Sequence, residues 1–276
     1  MKISLKILPY LLPYIFISVF NYYFAKLSLE YSSPFVFNLF RYLISSTIFY
    51  LMGGKLIINK RIISLSIFTS LSSLLWAFGL LYVSPSESAV LSYSMPLFSI
   101  PISYFILKEN SSKIVILGAI IGFLGVTLYG LPLIMSHFVV LGAIYTLINA
   151  IFWALFSVLY RALKDADPKN VNFTQFLFGS IFFLIGSAFD FKLDPSQDFF
   201  IGILYTALPG GALAFFLWNL MLRIEKVPRV TVMAFSIPIL TTVFDIFLDG
   251  ISLLPMQILG IALMFIGILL SRIRKL

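Results

Sequence analysis

The sequence predicts an all-α membrane protein: ten transmembrane helices in two inverted five-helix repeats. Three observations predict it. Of 276 residues, 61% are hydrophobic and only 11% charged, and the mean hydropathy is +1.05. A soluble domain carries about 25% charged residues and could not bury this much apolar surface. Apolar runs of the length that crosses a hydrocarbon core, about 17–25 residues, recur ten times along the chain. The Lys and Arg residues gather on alternate connections between those runs. Composition alone excludes a soluble enzyme, a disordered chain and a nucleic-acid binder. The net charge of +8 then reports orientation and anionic lipid, not a polyanionic partner. With no Cys and only His137 as histidine, disulfides, thiol catalysis and a His-rich metal centre are excluded, and neither metal nor cofactor is expected.

The ten spans run roughly over 7–24, 34–53, 62–83, 86–107 and 114–134, then 138–160, 172–190, 199–221, 229–249 and 255–271. Lys2 and Lys6 precede the first run, yet no small-residue cleavage site follows, so the run reads as a span and not a leader. The short connections leave no room for a soluble domain. With the N-terminus inside, only Lys26 and Lys192 fall outside and only Arg41 falls within a span; every other Lys and Arg is cytoplasmic. A miscounted span would invert that pattern beyond the error. The sequence therefore places both termini in the cytoplasm of a multi-pass protein of the plasma membrane.

The two halves resemble each other at an offset of 142. Tyr93-Ser94-Met95-Pro96-Leu97-Phe98-Ser99 in span 4 matches Phe235-Ser236-Ile237-Pro238-Ile239-Leu240-Thr241 in span 9. At the same shift Gly118, Phe123 and Gly125 meet Gly260, Phe265 and Gly267, and Trp76 meets Trp218. The halves are 1–134 and 138–276. Each has an odd number of spans, so the second copy enters the membrane upside down, a pattern of secondary transporters. Two five-span halves, Lys108-Glu109 closing span 4, and a mid-span Pro followed by a G-x₆-G span resemble the EamA-type drug/metabolite transporter superfamily. The second half departs from that pattern at Leu248-Asp249-Gly250, which lacks an acid matching Glu109. The resemblance implies a ten-helix carrier with a central cavity, exporting or importing small metabolites such as amino acids or drugs, and export is the direction expected.

Candidate site residues follow from polarity at depth. Pro96 and Pro238 lie near the bilayer midplane, where each frees a carbonyl four residues earlier, at Ser92 and Ala234. Such kinks either line a substrate site or are packing kinks satisfied by nearby hydroxyls. Pro209-Gly210-Gly211 breaks span 8 and reads as a hinge. Trp76 and Trp218 lie deeper than an interfacial belt and read as aromatic gates or as anchors. Asn149 and Trp153 share a face of span 6, while Asn21 and Asn219 sit in spans 1 and 8. Amides in hydrocarbon need partners, either another helix or a ligand. Substrate contact is thus expected from Asn21, Trp76, Asn149, Trp153, Trp218 and Asn219. Gly118 and Gly122 form a GxxxG read as packing within the chain. Glu87 reads as a helix cap.

Arg41 and Asp245 are the charges placed well inside spans, both in the outer half. A charge at the centre costs about 2.5–3.5 kcal/mol on insertion scales, so each needs a partner or water. They are read as an ion pair latching the outer gate, or separately as an Arg on carbonyls and an Asp at the interface.

The function expected is non-ATP transport of a small molecule by alternating access. A flippase for a lipid-linked molecule keeps the same fold. An intramembrane enzyme lacks its paired carboxylates, H-E-x-x-H motif or activated nucleophile. The partners expected are a small-molecule substrate and membrane lipid, with no nucleic acid; the chain is expected as a monomer or weak homodimer. Since the chain has no Cys, the topology is directly testable. Asp194→Cys should react with an impermeant thiol reagent only from outside, and Ala166→Cys only from inside; the reverse result overturns the orientation.

Overall fold

In the computed structural model, which describes residues 2–3, 6–137, 140–249 and 252–274, the chain forms ten helical rods. These are α1 (Leu8–Glu30), α2 (Pro34–Leu51), α3 (Lys60–Tyr82), α4 (Pro85–Ser92 and Met95–Leu107) and α5 (Lys113–His137). The second set is α6 (Val140–Ala162), α7 (Pro168–Ser187), α8 (Gln197–Ile224), α9 (Val227–Met233 and Ser236–Asp249) and α10 (Pro255–Arg272). A two-residue antiparallel pairing of β1 (Lys2–Ile3) with β2 (Ile273–Arg274) brings the two ends of the chain to the same face.

Local chemistry sets the helix starts. Asn59, Asp167 and Ser196 accept from backbone N–H groups of the first turns of α3, α7 and α8. Ser33 does the same ahead of Pro34 in α2. Before α4, Ser84 and Glu87 form a capping box, so Glu87 is indeed a cap.

Among the described residues, eight rods are long and apolar enough to cross a membrane; α2 and α7 are not among them. The reason is visible in their packing. α2 carries Asn38, Arg41, Ser45 and Ser46, and α7 carries Asn172, Thr174 and Gln175, all buried. The two rods lie against each other, so the polar side chains face protein and not lipid. Tyr42 of α2 packs edge-on against Phe176 and Phe183 of α7, with its hydroxyl on Ser73 at 2.7 Å. The outer surface is apolar by contrast: Phe189 is 88% and Phe247 82% exposed, which water would not tolerate on this scale but lipid does.

Helix pairing follows a regular scheme. α5 packs on α10, α3 on α6, α1 on α8, α4 on α6, and α1 on α9. The α5–α10 contact is a glycine seam. A Cβ at Gly118 would lie 2.7 Å from the Gly267 carbonyl, and one at Gly260 would lie 2.6 Å from the Gly125 carbonyl. Backbones meet there because no side chain intervenes. Gly122 faces the Phe235 ring instead, so the GxxxG packs within the chain. Replacing Gly260 by Leu should therefore destabilise the protein by at least about 1–3 kcal/mol, read as a lowered thermal midpoint in detergent. An unchanged midpoint would remove the seam from the account.

Candidate functional site

The rods enclose a cavity of about 670 Å³, counting its open mouth. Its lining comes from the middle of six rods: Tyr14 to Tyr22 on α1, Arg41 on α2, Ser72 to Trp76 on α3, Ser92 to Met95 on α4, Asn149 and Trp153 on α6, and Gly210 to Phe215 on α8. This mix of aromatic, amide and hydroxyl groups suits a small molecule.

Two irregularities border the cavity. α4 is broken at Tyr93–Ser94, just ahead of Pro96, and Ser92, Tyr93 and Met95 at that break face the space. Without an N–H, Pro96 cannot continue the upper segment and instead opens the lower one. α9 is broken in the same way at Ala234–Phe235, ahead of Pro238; that break lies outside the lining. Pro209 acts differently from the sequence expectation. The chain does not break there but stays helical, rewound as a π-helix over Leu208–Leu213. Widening the turn accommodates the missing proline donor without ending the rod. Gly210 in that stretch leaves room for Asn21, whose amide oxygen a Cβ would strike.

The π stretch explains Arg41. Its Nε donates to the Thr206 carbonyl at 3.0 Å and its Nη2 to the Gly210 carbonyl at 3.4 Å. Ser45, one turn on, donates to the Ala207 carbonyl at 2.9 Å. Irregular backbone at membrane depth needs such donors, and α2 supplies them. The guanidinium also lies 5.2 Å from the Trp76 ring centre and 5.7 Å from that of Phe215, within cation–π range. Arg41 on carbonyls is thus what the structure records. Asp245 belongs to α9, but its side chain lies outside the described residues.

Four of the six expected contact residues line the cavity: Asn21, Trp76, Asn149 and Trp153. Asn149 ties three rods together, accepting from Ser72 at 2.7 Å and donating to Ser92 at 3.3 Å. Trp218 and Asn219 are not among the lining residues. Trp218 is fully buried, its indole N–H on Ser157 at 3.0 Å, between Tyr14 and Trp153. It stands behind the wall that it was expected to form. The next residue points about 100° around the helix, so Asn219 meets α7, donating to Asn172 at 2.7 Å.

The sequence reading passed over two features. Tyr14, Tyr22 and Tyr93 line the cavity but carry no signal in a chain with fourteen tyrosines. Glu109 was noted only as closing α4. It pairs with Arg161 at 2.9 Å and accepts from Ser103 and the Val227 N–H. Arg161 donates in turn to the carbonyls of Leu222 and Arg223, both at 2.8 Å. One ion pair thereby joins the ends of α4, α6, α8 and α9.

Comparison with known proteins fits this architecture. The model of the EamA-like transporter family matches residues 6–131 and again residues 140–273. The chain belongs to that family. An uncharacterized transporter from the sor 3′ region of Acidianus ambivalens is 46% identical over 87% of this chain and 94% of its own length. The uncharacterized transporter YyaM of Bacillus subtilis (strain 168) is 25% identical over 69% of this chain and 65% of its own. A solved crystal structure, 16% identical, superposes with a TM-score of 0.76 over 94% of this chain and 95% of that one, a likeness of fold. This EamA-family chain is an integral, multi-pass membrane protein and a membrane transporter, and its family and relatives point away from an enzyme.

Losing either member of the Glu109–Arg161 pair strands a mostly buried charge. Glu109→Gln should cost on the order of 3 kcal/mol, and Glu109→Gln with Arg161→Gln together should cost less than the two single changes added. Thermal unfolding of the four proteins in detergent measures this; strict additivity would mean the pair is not coupled.

Proposed function

We propose that this EamA-family chain is a secondary transporter of small metabolites, with its two inverted five-helix halves, 1–134 and 138–276, exposing the midplane cavity to each side of the membrane in turn. The observation that carries this reading is the cavity itself. It sits at the middle of its six bordering rods, and those rods come from both halves. It is flanked by a broken helix and a π stretch, and interrupted helices at mid-membrane are where transporters hold their cargo.

The packing scheme supports two halves related by a two-fold axis in the membrane. Exchange of halves turns the α3–α6 contact into α8–α1 and α4–α6 into α9–α1, and it leaves α2–α7 and α5–α10 unchanged. The glycine seam obeys the same rule. Gly118 meets Gly267, the counterpart of Gly125, while Gly125 meets Gly260, the counterpart of Gly118. Reciprocal contact of this kind is the mark of an isologous interface. Two separate matches of one family model along the chain agree with it.

The Glu109–Arg161 cluster is the candidate gate at its end of the molecule, since it draws four rods together and must release for the cavity to open there. The sequence lacks a phosphate-binding glycine loop, so transport runs on gradients of the substrate or a coupled ion. The outward direction and the plasma-membrane location are part of this proposal, and the cytoplasmic placement of both termini rests on the positive-inside count.

Counterflow in proteoliposomes tests the class. Vesicles loaded with an unlabelled solute should accumulate its labelled form without ATP for at least one member of a panel of amino acids, organic acids, sugars and cationic drugs. No exchange of any solute, with scrambling of a lipid-linked molecule instead, would replace the transporter by a flippase.

A further inference from the structure

The charge inside the cavity specifies more than a small molecule. Arg41 is the charged residue of the lining, and among the described residues no acidic side chain joins it there. Its side chain is buried, 3% exposed. Two of its five N–H donors are directed at the Thr206 and Gly210 carbonyls. Carbonyl contacts offset part of the desolvation of a guanidinium but do not neutralise it. The remaining donors belong to a planar fork whose geometry matches a carboxylate.

A second observation lies beside the first. Among the described residues, the amide oxygen of Asn21 is buried without a hydrogen-bond partner. It lies against Gly210, whose own carbonyl accepts from Arg41. An orphaned acceptor at this depth is costly unless a ligand or water supplies a donor. Around both groups stand aromatic rings. Trp76 meets Tyr22 edge-on with centres 5.6 Å apart, and Trp153 meets Phe215 in the same way at 5.2 Å.

We propose that the cavity takes an aromatic or similarly apolar organic acid as its carboxylate, held on the Arg41 guanidinium, with a hydroxyl of the same molecule donating to the Asn21 amide oxygen. The ring lies against Trp76, Trp153 and Phe215. This assignment deepens the transporter reading and rests on the cavity being the transport site. It favours a 2-hydroxy acid over the corresponding amino acid. A neutral hydroxyl needs only an acceptor, and Asn21 offers one. An ammonium brings a full charge to mid-membrane, and the described lining holds no carboxylate to meet it. An organic cation is disfavoured twice over, by that absence and by repulsion from Arg41.

Binding to the purified full chain in detergent tests this without any transport step. The probes are 3-phenyllactate, L-phenylalanine and 3-phenylpropylamine, three molecules of similar size that differ in charge. Each should be titrated against the thermal midpoint, which a ligand of the folded state raises. The expected result is a shift with 3-phenyllactate, an affinity for L-phenylalanine weaker by about tenfold or more, and no shift with the amine. Arg41→Gln should abolish the 3-phenyllactate shift. Arg41→Lys, which keeps the charge but not the fork, should retain a reduced shift and the same order of probes, and this holds the test open should the Gln variant not fold. Equal or tighter binding of L-phenylalanine, a shift with the amine, survival of the 3-phenyllactate shift in Arg41→Gln, or no shift with any probe would each overturn the assignment. Binding as expected without counterflow would remove the transporter reading alone, and counterflow of cations or amino acids without carboxylate preference would remove the assignment alone.

Discussion

In hydrocarbon, no polar group has water to fall back on, and every other feature of this chain follows from that constraint. The rods α2 and α7 pack on each other and turn their polar side chains toward protein, while Leu43 and Leu51 of α2 and Leu184 and Ile185 of α7 face outward. The carbonyls loosened by the π stretch of α8 cannot be left bare, so Arg41 and Ser45 reach across from α2 to hold them. Asn172 stands between Gln175 and Asn219, accepting from both at 2.6 and 2.7 Å. The polar interior is a network because isolated polar groups would be too costly.

The same constraint sharpens what a cavity means here. A water-sized gap lined by apolar groups would be a packing defect. This space is lined by serines, asparagines, tyrosines and a guanidinium, so it is a place where polar chemistry is expected to meet something. Its lining residues lie at the middle of the rods. The Glu109–Arg161 pair joins the ends of four rods, and it is the gate proposed above for that end.

Much of the fold was legible in the sequence because length, apolarity and charge placement act on whole spans. Ten runs became ten rods, and Pro96 and Pro238 sit just beyond the breaks of α4 and α9. Facing was harder to read. Lipid is as apolar as a protein core, so a membrane helix need not segregate its faces as a soluble one does. Trp218 illustrates this: its sequence offset from Trp76 suggested a matching role, yet it stands behind the cavity wall on Ser157. Asn21, Trp76, Asn149 and Trp153 reach the lining because amides and indoles at depth have few other places to go. Pro209 was misread as a break, since the sequence signals a missing donor but not whether α2 carries groups to compensate. The Glu109–Arg161 pair joins residues far apart in the chain, and no local pattern announces it.

The central claim is that one midplane cavity is open to each side of the membrane in turn. Ser92, at the break of α4, lines it, and the chain has no native cysteine. The direct measurement is the reaction of Ser92→Cys with an impermeant thiol reagent in right-side-out and in inside-out vesicles. The account predicts modification from both faces, with each rate altered by a bound solute. Modification from a single face under every condition would contradict it.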